Sequence, residues 1–341
     1  MIEKYYDGAI EQVAAGLGTV EKNHLLVRYS GQFSVENLND TKQLEKNEDI
    51  FVQVHEFETG EITCAYEPYL TMICDGFRRY MTGTFEEFME TCDVYYLHRP
   101  VLLGYFNQDN TGREEIILLD EVAYEQERML AALERMLCAI ADRHPVLFVL
   151  NRFQLASKST MQLTARFLKC ENCNIGLVLG VSDIQAMPEF LVPDWEMLYE
   201  TLDDGSKIYH IGNSGRKKEE AIDDEKYVDY GSEKVYRKLQ NMVEFLDFDQ
   251  AAYYLETIER KIKFDNLLVD DAARFRMWLL FVKVSILRQD IPKALEICED
   301  LEKIHLAGKE EECAYEQDYL IATAYMYQGK LKEALEMAGE T

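Results

Sequence analysis

The chain of 341 residues is long enough for two domains, each with its own core, and its apolar (48%) and charged (29%) fractions are those of an ordinary globular protein. Its net charge of −27 is not ordinary. A surface this acidic repels phosphate backbones and anionic membranes, so no nucleic acid and no membrane is expected among its partners, while a basic protein partner stays open.

The start, MIEKYYDGAIEQ, lacks the basic-then-apolar design of a signal peptide, and no apolar run approaches membrane-spanning length. The first strand expected is His24–Ser30, followed by Gly31; Ile50–Glu56 is the second. Ala65-Tyr66-Glu67-Pro68-Tyr69 then opens a helix. Residues 82–120, with their aromatics and the loop Asn-Gln-Asp-Asn-Thr-Gly, read as a helical and loop insertion. Ile116–Glu121 has the shape of a strand ending in Asp120-Glu121, but the helix Tyr124–Arg143 follows directly, so Asp120 reads as its N-cap. That helix carries Met129, Leu130, Leu133, Met136, Leu137 and Ile140 at helical spacing. Pro145–Leu150 is a buried strand broken by Asn151-Arg152, and Ile175–Val181 and Lys207–Ile211 complete the set. Strands alternating with helices predict a parallel sheet covered on both faces.

The composition shifts over 213–230 (NSGRKKEEAIDDEKYVDY), which reads as a charged linker or exposed connecting helix. Beyond Gly231 strand signals stop. Three helix-hairpin units follow, FDQAAYYLETIE, IPKALEICEDLE and LKEALEMAGE, anchored at Ala251, Ala294 and Ala334, intervals of 43 and 40 residues. Small residues at that recurrence let paired helices approach closely, the pattern of an all-α solenoid. Trp278, Leu279 and Leu280 fill the helix before the middle unit, and the tyrosines 253, 254, 315, 319, 325 and 327 are expected mostly to pack between helices, with about a third lining a concave face. The last unit carries no polar cap, so its apolar stacking face should be exposed, and a longer protein continuing past Thr341 is expected.

Isolated chemical signals have plain readings. Eight cysteines lie scattered, mostly in apolar patterns, as reduced cytoplasmic thiols do, and Cys170-x-x-Cys173 lacks the second ligand pair of a zinc site, so it reads as a helix-to-strand turn. The histidines 24, 55, 98, 144, 210 and 305 show no metal-ligand spacing. Ser157-Lys158-Ser159 imitates a serine–lysine dyad but fits a polar turn after a strand. Glu56, Glu58, Glu61 and Glu67 form the kind of acidic cluster that 63 acids make inevitable. No catalytic residue, metal ligand or cofactor is expected.

Taken together, residues 10–212 resemble the nucleotide-binding domain of STAND-type signal-transduction ATPases, the AAA-like module found in large bacterial regulators ahead of tetratricopeptide repeats. The carriers are strand His24–Ser30 with Gly31, the Pro68-Tyr69 pair, His144-Pro145 entering Val146–Leu150, then Gln154, Ala156 and Thr160, and strand Ile175–Val181. The resemblance implies a P-loop-NTPase-like α/β domain over 1–212, joined by the 213–230 linker to a tetratricopeptide-like solenoid over 231–341. It also implies a phosphate-binding loop after the first strand and metal-holding acids after the strand 146–150. Both departures fall on the chemistry. Counting from Gly31 puts Glu36, Asn37 and Leu38 where a glycine, the phosphate-neutralising lysine and the metal-ligating hydroxyl belong. Asn151 and Arg152 stand where the two acids belong, and the sensor position near Ser182-Asp183 lacks an arginine. The expected function is therefore a non-catalytic regulatory scaffold, a pseudo-ATPase whose solenoid grips a protein or peptide, with the sheet domain as a docking or homodimerisation body. In intact relatives nucleotide exchange toggles the packing of the two domains, and an output domain beyond Thr341, DNA-binding or cyclic-dinucleotide-producing, would fit. Two competing readings are an atypical ATP-hydrolysing switch using Asp120 and Glu121, and a small-molecule sensor with an apolar pocket near Gly31 and Asn151.

Overall fold

The computed structural model describes residues 2–19, 24–29, 49–58, 60–109, 120–170, 174–182, 187–203, 208–211, 229–265, 267–301, 303–304 and 310–339. Two compact units divide the chain: 1–115 with 127–227, and 116–126 with 228–341.

The first unit is built on one parallel sheet of five strands, β1 (His24–Tyr29), β2 (Phe51–Glu56), β3 (Val146–Asn151), β4 (Ile175–Ser182) and β5 (Ile208–Ile211), in the order β2-β3-β4-β1-β5. All five fall where strands are expected; the inner strands β3 and β4 are buried along their whole length and read as apolar runs, whereas the edge strand β2 (FVQVHE) is only partly buried and carries polar residues. Chain order and spatial order part company at β1: the chain leaves it for the far edge strand β2, while β4 continues across it to β5. Neighbouring strands whose connections leave in opposite directions open a crevice beyond their carboxyl ends, here outside β1 and β4.

Register decides which side chains share a face. Leu25 pairs with Val178 and Val27 with Gly180, while Val149 also pairs with Val178. That face is covered by α1 (Ile2–Gly16), whose Tyr6, Ile10 and Val13 pack on Leu25, Val27, Leu147, Val149 and Val178. The opposite face holds Phe148, whose ring meets Tyr69 edge-on at 4.7 Å between centroids; Tyr69 also meets Phe167 at 5.2 Å. These come from α2 (Tyr69–Tyr80) and α6 (Lys158–Lys169). The buried Tyr69 hydroxyl finds Thr164 Oγ1 at 2.6 Å, so burying the ring leaves no polar atom stranded.

Between α2 and β3 lie α3 (Phe85–Thr91), α4 (Arg99–Asn107) and α5 (Val122–Ala141). α3 starts with a capping box, Thr84 Oγ1 accepting from Glu87 N and Glu87 Oε2 from Thr84 N. The segment 82–120 is thus helical in its first two thirds, and 110–119 lies outside the described residues. α7 (Val192–Asp203) completes this unit.

The second unit is helical: α8 (Glu233–Glu244), α9 (Phe248–Phe264), α10 (Asp271–Leu287), α11 (Ile291–Leu301), α12 (Glu310–Tyr327) and α13 (Leu331–Gly339). The turns α8–α9, α10–α11 and α12–α13 are the same structure three times. Each passes through one left-handed residue, Leu246 (φ 65°), Gln289 (φ 62°) or Gly329 (φ 81°). The next residue donates its N–H five positions back: Asp247 to Met242 O, Asp290 to Ser285 O and Lys330 to Tyr325 O, at 2.7–2.9 Å. This is the Schellman closure of a helix end. In each case the anchor alanine sits five residues after the left-handed residue. Ala251 and Ala294 are completely buried, whereas Ala334 is partly exposed. The six tyrosines expected to pack mostly between helices do not: Tyr315, Tyr319 and Tyr327 are exposed, and Tyr253, Tyr254 and Tyr325 half-buried. A phenolic tip keeps water at modest cost, so these positions sit at helix margins. Most of the expected linker lies outside the described residues. No helix among the described residues is long and apolar enough to cross a membrane.

Candidate functional site

Asn151 ends β3 fully buried, and its Oδ1 accepts a hydrogen bond from the hydroxyl of Tyr29, the last residue of β1, at 2.7 Å. Its backbone carbonyl accepts from Phe57 N at 3.1 Å, extending the β2–β3 ladder. The next residue, Arg152, adopts a left-handed conformation (φ 53°, ψ 41°), an uncommon choice for a side chain of this size. Its guanidinium forms an ion pair with Glu56 at the end of β2, Nη2 to Oε1 3.2 Å, and its charge acts on the Tyr29 phenol. Arg152 and Glu56 are 24% and 15% exposed, sheltered enough for the pair to be only partly screened.

Tyr6 of α1 joins this group from above the sheet. Burial pushes its hydroxyl far above the usual tyrosine range, and the nearness of Tyr29 and Glu56 adds to the rise. Burial likewise pushes Tyr29 up to about 12, opposed by Arg152 and the Asn151 bond and assisted by Glu56. The neutral phenol is therefore the folded form. Tyr29 contributes stability in full below pH 10, its unfolded value, and loses it as pH rises towards 12. Tyr29→Phe should cost about 1 kcal/mol at pH 8 through the lost bond. In urea titrations that gap should narrow above pH 10, because only the wild-type unfolded state then gains from ionising this phenol; a gap constant to pH 11.5 would contradict it.

The chain after Arg152 is fixed just as fully. Gln154 clamps the end of β4, its Nε2 donating to Ser182 O at 3.3 Å and its Oε1 accepting from Ser182 N at 3.4 Å. Ser157 Oγ caps α6 by accepting from Thr160 N, and Ser159 Oγ accepts from Tyr66 N at 3.1 Å. Thr160 Oγ1 donates to Glu67 O at 2.9 Å. The turn after β3 and the segment Tyr66–Tyr69 are thus stitched together, and the serines beside Lys158 serve as caps and acceptors.

The site residues read from the sequence fall in three places. Asn151 and Arg152 sit at the carboxyl edge of the sheet, joined there by Tyr29, Glu56 and Tyr6, which the sequence did not single out as partners. Gly31, Glu36, Asn37 and Leu38 lie outside the described residues. Asp120 and Glu121 form the turn entering α5, where Glu121 O accepts from Glu125 N at 2.8 Å; they are not the end of any described strand. Among the described residues no cluster of three or more His, Cys, Asp or Glu side chains could hold a metal ion. Chemically, the described charges at this edge offset one another, Arg152 against Glu56, and the Asn151 amide oxygen accepts the hydrogen bond of the neutral Tyr29 phenol. No protein-family model, curated protein or solved structure matches the chain.

Proposed function

We propose that this chain is a non-catalytic regulatory scaffold: a degenerate STAND-type, P-loop-NTPase-like domain joined to tetratricopeptide-like hairpins that bind a protein or peptide. The observation carrying the reading is the Arg152–Glu56 ion pair beside the Tyr29–Asn151 bond at the carboxyl edge of the sheet. An ATPase keeps uncompensated acids there to hold a divalent cation. Here the Arg152 guanidinium stands after the strand, repels a cation, and is paired with Glu56. The strand order supports the same reading, since its crossing-over at β1 puts that edge where doubly wound sheets bind ligands. The three identical hairpin turns support a repeat array, whose natural use is to grip an extended or helical segment.

The sensor alternative calls for an apolar hollow next to Asn151. On that side Phe153 is completely buried, 6.1 Å from the ring of Phe57 and 6.5 Å from that of Trp195. The observation favours a packed edge. Phosphate release from Mg-ATP, measured for wild type and Asp120→Asn, tests the catalytic half: no release above background is expected from either. Turnover abolished by Asp120→Asn would establish the atypical switch instead.

A further inference from the structure

Cys138 in α5 and Cys170 at the C-cap of α6 are 32 residues apart in sequence, yet their Sγ atoms lie 3.6 Å apart. Both residues are partly exposed, whereas Cys74, Cys92 and Cys298 are buried. The contact continues a pattern already present between these two helices. One turn earlier on each, Arg166 Nε meets Glu134 Oε2 at 2.8 Å, and Arg166 Nη1 reaches Glu127 Oε1 at 2.6 Å. Glu134–Arg166 and Cys138–Cys170 are consecutive rungs, each advancing four residues on both helices, so the ion pair holds the thiols side by side. A disulfide needs its sulfurs at about 2.0 Å, a closure of about 1.5 Å that side-chain torsions can supply.

We propose that Cys138 and Cys170 form a reversible thiol–disulfide site that takes up oxidising equivalents from a peroxide or a low-molecular-weight disulfide. With hydrogen peroxide the two thiols lose two electrons and two protons, the S–S bond forms, the O–O bond breaks and two waters leave; an organic hydroperoxide would leave as an alcohol and one water. With a disulfide such as oxidised glutathione, successive exchange releases two molecules of the reduced thiol. The cross-link closes residues 138–170 into a loop that contains β3, the Asn151–Arg152 edge and α6, so it constrains the segment that carries the candidate site. Burial and the neighbouring thiol, with help from Glu134 and Asp142, push the Cys138 thiol well above its usual range. Thiolate at Cys138 is therefore scarce at neutral pH.

The test is to bring the full chain to equilibrium with excess oxidised glutathione, block remaining thiols, digest it and map the peptides by mass. A Cys138–Cys170 cross-link is expected, reversed by dithiothreitol and retained in Cys173→Ser. Oxidation should also raise the melting temperature by about 5 °C in wild type but not in Cys138→Ser. A Cys170–Cys173 link, or both Cys138 and Cys170 recovered blocked or glutathionylated, would overturn the proposal. Because the cross-link is read in the wild-type chain, the result stands even where a serine variant fails to fold.

Discussion

Phe148→Ala should lower the unfolding free energy by about 3–5 kcal/mol, the range for deleting a large buried ring whose surroundings cannot collapse. Phe148 is completely buried in the middle of β3, with strands on both sides and the Tyr69 ring against it. The vacated volume is walled by backbone ladders that cannot move inwards. The Tyr69 ring is itself tied by its hydroxyl to Thr164, so it cannot swing into the space without abandoning a buried hydrogen bond. The aromatic pairing adds about 0.5–1.5 kcal/mol beyond the area lost. Against a usual total of about 5–15 kcal/mol, this is a large fraction. Urea unfolding measures it, and a cost below about 1.5 kcal/mol would mean that the β3 core is not packed as described.

Gly180→Val should cost about 3 kcal/mol, although strand propensity alone argues for the opposite sign, since valine suits a strand better than glycine by up to about 1 kcal/mol. A Cβ at 180 would collide with the Tyr6 hydroxyl and ring edge and with Asn151 Oδ1. Neither obstacle is a loose end of a flexible side chain: Tyr6 is a fully buried ring, and Asn151 is held by Tyr29. Glycine at this point is what lets α1 lie close over the sheet while the polar group at its edge stays intact. Overpacking and loss of the Tyr29–Asn151 bond act together. Stabilisation by Gly180→Val would show that α1 does not lie on this face.

The inner strands β3 and β4 and the helical recurrence were legible for a simple reason: burial on both faces forces unbroken apolar runs, and close helix pairing forces small residues at a fixed interval. The strand order was not, because pairing partners leave no local mark. Tyr6, Ile10 and Val13 carry the helical spacing of α1, an element absent from the expected set, which opens at the strand His24–Ser30. Glu56 was one acid among 63 until register put it opposite Asn151, within reach of the Arg152 guanidinium. The hairpin turns escaped notice because two of their left-handed positions are Leu246 and Gln289, which lack the glycine signal that Gly329 carries. Cys138 and Cys170 met only through the fold. Asn151 and Arg152, by contrast, stood out as a polar break after a buried strand, and the edge they form is where the sheet topology opens its crevice.

The central claim is that this edge neutralises itself and holds no Mg-nucleotide. It is tested most directly by thermal unfolding of the chain with and without millimolar Mg-ATP, Mg-ADP and Mg-GTP. A nucleotide present at a hundred times its Kd would add about 2.7 kcal/mol and visibly raise the melting temperature. The account predicts an unchanged midpoint with all three; a rise of several degrees with any of them would contradict it.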